Sequence, residues 1–161
     1  MNEINEHGVR IIEAEMSVVV EDHMYLGVGM EYHKSPQGIE NYYITLLVPK
    51  GTMSCAVKKD QEVKFKTIND EAVIGLAVAD FPCIYTGGNW SYAATYVISP
   101  ETAEKLSHKV SKVRINYTTP EKVSFFDVDV SDGIMARYFK KAYANIQKTI
   151  PRPADKDRSE F

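Results

Sequence analysis

Tyr92-Ala-Ala-Thr-Tyr-Val-Ile-Ser99, continuing as Pro100-Glu-Thr-Ala-Glu-Lys-Leu-Ser-His108, is the stretch whose reading decides the fold class. Tyr92, Ala94, Tyr96 and Ile98 fall on one side of a period-two pattern, the mark of a β-strand. Ser99-Pro100-Glu101 then opens a helix. Serine accepts from free first-turn amides, proline is preset for the first helical position, and glutamate suits the positive end of the dipole. The helix is short and ends near Ser107 or His108. Val110, Val113 and Ile115 lead into a further strand, and Thr118-Thr-Pro-Glu-Lys122 reads as a turn. Phe126, Val128 and Val130 alternate with Phe125, Asp127 and Asp129. Ser131-Asp132 reads as the cap of a last helix, on which Met135, Phe139, Ala142 and Ile146 form an apolar stripe wide enough to pack across a sheet.

Working outward from this core, the N-terminal half is a run of strands. Between residues 11 and 21, Ile12, Ala14, Met16, Val18 and Val20 share one face and Glu13, Glu15, Ser17 and Glu21 the other. In the next strand Gly27 and Gly29 share a face, a bare strip that admits a bulge or a close neighbour. Tyr42 to Val48 is apolar on both faces, so a central strand covered on both sides is expected. Ala72 to Ala79 reads the same way, interrupted by Gly75. Between them, Met53, Cys55 and Val57 precede Val63, Phe65 and Thr67 as an expected hairpin, with Lys64 and Lys66 as edge protection. The fold class is therefore α+β: a mostly antiparallel sheet of about eight strands, a sandwich or partly closed barrel, with one short helix and one C-terminal helix packed on it. Residues 1–150 read as one domain. Residues 151–161, with two prolines and many charges, read as a disordered tail.

Composition narrows the function classes. The chain has 161 residues, a formal net charge of −3, 44% hydrophobic and 25% charged residues, ordinary for a globular protein. No basic surplus marks a nucleic-acid binder. Apolar stretches are strand-length, too short to span a bilayer. The start, Met1-Asn-Glu-Ile-Asn-Glu, lacks the basic beginning and apolar run of a secretory signal, so a cytoplasmic location is expected. Cys55 and Cys83, both in apolar surroundings, are expected to be reduced core thiols.

Tyr96-Val-Ile-Ser-Pro-Glu-Thr-Ala-Glu-Lys-Leu, Lys112-Val-Arg-Ile and Phe126-Asp-Val-Asp-Val together resemble small uncharacterised bacterial α+β domains over about residues 52–148. The resemblance implies the fold and brings no activity.

No nucleophile motif, phosphate loop or dinucleotide fingerprint occurs, and no cofactor is implied. His7, His23, His33 and His108 lack metal-ligand spacing. No metal site is expected. Asp127, Asp129 and Asp132 are the alternative, since three close carboxylates suit a divalent ion; a solvated face plus a helix N-terminal charge is the preferred reading of them. The stronger candidate is aromatic. Tyr85, Asn89, Trp90 and Tyr92 surround the loop Thr86-Gly-Gly-Asn-Trp-Ser91, and loops present such rings to partners. The functional expectation is a non-enzymatic interaction or binding domain. It would use a sheet edge or loop 86–91, with a protein partner or small polar ligand. A ligand-sequestering protein or enzyme with a pocket of scattered polar residues, and a homo-oligomeric structural unit of bacterial or phage origin, are the alternatives.

Overall fold

The computed structural model describes residues 2–21, 24–51, 56–86, 89–130 and 133–151. Among these lie thirteen strands and two α-helices. The strands are β1 (Asn2–Ile4), β2 (Arg10–Glu13), β3 (Ser17–Glu21), β4 (Met24–Lys34), β5 (Glu40–Gly51), β6 (Ala56–Val57), β7 (Glu62–Lys66), β8 (Ala72–Ala77), β9 (Phe81–Pro82), β10 (Ile84–Thr86), β11 (Asn89–Ile98), β12 (Lys112–Thr118) and β13 (Val123–Asp129). The helices are α1 (Pro100–His108) and α2 (Ile134–Thr149). One antiparallel sheet runs β1-β2-β4-β5-β11-β8-β7-β12-β6-β9, with β3 beside β4, β10 beside β11 and β13 beside β12. It is not closed on itself. The α+β class with a mostly antiparallel sheet is as expected, and the strands outnumber the expected eight.

The start of α1 follows its sequence signal, whereas α2 begins at Gly133 and not at the expected Ser131-Asp132 cap. The Ser99 hydroxyl accepts from the Thr102 amide at 3.1 Å and Pro100 takes the first helical position. At α2 the cap position is Gly133, whose φ of 87° suits a residue without Cβ; Ser131-Asp132 and the tail 152–161 lie outside the described residues. The α2 stripe Met135, Phe139, Ala142 and Ile146 is fully buried, as its spacing predicts.

The sheet curls round this stripe. Phe139 meets Phe65 of β7 edge-on at 5.8 Å, while Tyr143 stacks on Tyr42 of β5 at 5.9 Å. One helix therefore touches strands from distant parts of the sheet, and α1 packs against α2 and β5. The inward residues of every long strand join one core, among them Leu26, Val28, Ile44, Leu46, Val63, Tyr92, Tyr96, Val113 and Ile115. A Phe→Ala truncation at such a site costs about 3–5 kcal/mol, comparable with a large part of a domain's net stability.

Three expectations change. Residues 11–21 are not one strand: Glu13 pairs Glu31 while Ser17 pairs Val28, so three residues face two across the break. The extra residue is a bulge, and it reverses the alternation. Ile12 stays in the core, but Met16 and Val18 turn outward, 56% and 69% exposed. Within the described residues the expected hairpin of β6 with β7 is not formed, because both pair with β12; Met53 and Cys55 lie outside the described residues. β7 is thus internal, flanked by β8 and β12, and its lysines guard no edge. Finally, Cys83 is buried but not a reduced thiol: it is disulfide-bonded. The chain's only other cysteine, Cys55, lies outside the described residues.

Candidate interaction face

Among the described residues, helices cover only the concave side of the sheet. On the convex side, residues directly opposite one another in the register share a face, so the surface can be read strand by strand. Val18 of β3 lies opposite Gly27, Gly27 opposite Leu47, and Leu47 opposite Ala93. In the next row Met16 rests on Gly29, followed by Thr45 and Thr95, and the Val78 amide donates to the Thr95 carbonyl. A third row joins Tyr43, Val97 and Leu76. Ile74 stands two residues from Leu76 on the same face of β8, and Ile84 of β10 lies opposite Ser91, in line with Ala93.

The result is an apolar surface crossing β3, β4, β5, β11 and β8. Leu47, Ile74, Leu76, Val78 and Ile84 are between 37% and 61% exposed. The threonines in its middle row, Thr45 and Thr95, satisfy each other with a hydroxyl hydrogen bond of 3.0 Å. The glycines make the surface smooth. A Cβ on Gly27 would stand 2.7–3.1 Å from three Leu47 side-chain atoms, and one on Gly29 would stand 3.0 Å from Met16 Cγ. The bare strip thus admits close neighbours, as the sequence implies.

Charged rows flank this surface. On one side β7, β12 and β13 set Lys66 beside Lys112 and Asp129, and Lys64 beside Arg114 and Asp127. Two like-charged pairs directly across from each other disfavour the ladder. Acidic groups offset them. Arg114 donates to both Asp127 carboxylate oxygens, at 2.7 and 3.0 Å, and lies 4.1 Å over the Phe125 ring. The Arg114 guanidinium holds the Asp127 carboxyl below the usual carboxylate range. On the other side His33 meets Glu31 at 2.9 Å and its ring packs against Tyr43. An apolar centre with a polar rim is the layout of protein–protein interfaces.

The sequence-singled residues are dispersed over other parts of the fold. Of loop 86–91, Thr86 pairs with Asn89, while Trp90 pairs with Tyr85 and Ser91 with Ile84, where β10 meets β11; residues 87 and 88 lie outside the described residues. Tyr85 is exposed. Tyr92 faces inward and is buried; burial raises its hydroxyl well above the ordinary range, so it is neutral. Tyr32, Tyr42 and Tyr96 are buried as well, which accounts for much of the tyrosine content. Asp127 is committed to Arg114, Asp129 stands opposite Lys112, and Asp132 lies outside the described residues. Among the described residues no three His, Cys, Asp or Glu side chains converge as a metal site would require.

Sequence reasoning missed the convex face, although a signal was there. Strands apolar on both faces were read as covered twice, whereas α1 and α2 cover them once. No family model, curated protein or solved structure matches this chain.

Proposed function

We propose that this protein is an interaction domain whose convex sheet face docks on a protein partner. The observation that carries the reading is the apolar surface from Met16 and Val18 to Ile74, exposed on a sheet whose other face is already filled. Contiguous exposed apolar surface on a folded chain marks a contact site. A solvated antiparallel sheet normally alternates apolar-in with polar-out, and β5 and β8 break that rule. The exposed Ile84 of β10, opposite Ser91, extends the proposed contact along β11. The disulfide at Cys83 favours an oxidising compartment over the cytoplasm as the place where this contact is made.

The test is a double substitution, Leu47→Glu with Leu76→Glu. Both side chains are exposed, so the fold and its melting temperature are expected to survive. The wild-type protein, isolated gently from its own cells, is expected to run by light scattering as a species heavier than 18.2 kDa. The variant is expected to run as the monomer. Association that persists in a folded variant, or a wild-type chain that is monomeric from the outset, contradicts the proposal.

A further inference from the structure

A cavity lies between α2 and the bulged segment that joins β2 to β3, meeting the convex face only at Met16. Its volume is about 350 Å³, within the range of small-ligand sites. One wall is the helix face carrying Arg137, Lys141 and Asn145, spaced four residues apart and therefore aligned. The facing wall includes Met16 and Ser17. Tyr138 ties the walls together, its hydroxyl donating to the Glu15 carbonyl at 2.9 Å. Burial pushes that hydroxyl up to about 12, which keeps it a neutral donor.

The charge of this cleft is unusual for the chain. The α2 segment holds Arg137, Lys140, Lys141 and Lys148 and neither aspartate nor glutamate, in a protein of net charge −3. Arg137 stands near the helix N-terminus, where the dipole favours an anion and adds to the positive field. Among the described residues no ion pair engages Arg137 or Lys141, even though Glu15 borders the same cleft. Two unpaired cations one turn apart, with an amide and a hydroxyl nearby, suit an oxyanion. Ala14, Met16 and Ile134 add apolar lining beside them.

We infer that this cleft binds a small organic anion: a carboxylate or phosphate carried on an apolar group. Arg137 and Lys141 hold the oxyanion, and Met16 with Ile134 receives the apolar body. Titration calorimetry of the full chain with phenyl phosphate, benzoate and inorganic phosphate tests it. Phenyl phosphate or benzoate is expected to bind at least about tenfold more tightly than inorganic phosphate, because only they fill the apolar part. Arg137→Ala with Lys141→Ala is expected to weaken that binding at least about tenfold, while Lys148→Ala, on the same helix but outside the cleft, leaves it unchanged. All three residues are exposed, and a thermal melt verifies that each variant folds. Absence of binding by both organic probes overturns the inference, as does equal binding by the folded double variant.

Discussion

Asp127 illustrates how a residue can look like chemistry and serve structure. Its spacing from Asp129 reads as a carboxylate pair for a cation, yet the hairpin of β12 and β13 sets it opposite Arg114, which takes both its oxygens. The choice depends on a residue thirteen positions away, and spacing along one strand carries no word of it. The pairing has a pH signature. Its folded-state carboxyl titrates below the ordinary value near 3.8, so its stabilising contribution is present above that value and is lost as pH falls through the folded one. Asp127→Asn is expected to flatten the acid side of the stability profile. Between pH 7 and pH 3 the variant should lose less melting temperature than wild type, by about 1–2 °C for so exposed a pair. Parallel profiles would remove Asp127 from the acid response. Gly27 and Gly29 were more legible: two glycines on one strand face announce a close approach, and Leu47 and Met16 make it.

Among elements, those specified by local chemistry were read correctly and those specified by partners were not. Ser99-Pro100-Glu101 begins α1 because cap, ring and charge all lie within three residues. The α2 stripe is buried because its period matches the helix. The β2–β3 bulge, in contrast, is a mismatch of count between two strands, and period-two alternation continues straight through it in the sequence. β6 and β7 pair with β12 some fifty residues further on, where no turn signal points. Cys83 belongs to this class too, since a disulfide depends on proximity that apolar flanks do not reveal. Removing it has a measurable price: Cys83→Ser is expected to cost roughly 2–4 kcal/mol in denaturant unfolding under non-reducing conditions. Added reductant should bring wild type down to the variant. A wild-type curve indifferent to reductant would mean that the bond contributes nothing to the fold.

For the whole molecule, the decisive fact is that one continuous sheet wraps two helices on one side, while among the described residues nothing packs over the other. The α+β class and the antiparallel sheet were legible from alternation and capping. Which apolar face ends inside was not, because periodicity reports that a face is apolar and is silent about what covers it. β5 and β8 carry apolar residues on both faces, and the described helices cover one. The convex surface and the α2 cleft share Met16 but otherwise have different linings, so substitutions at Leu47 and Leu76 are separable from those at Arg137 and Lys141. The most direct measurement is site-specific photo-cross-linking in the cells that make the protein, with the reactive side chain placed at Leu47 or Leu76 and, as control, at Lys148. The account predicts a discrete adduct from positions 47 and 76 and none from position 148. Equal labelling from all three positions, or no adduct from the sheet face, would contradict it.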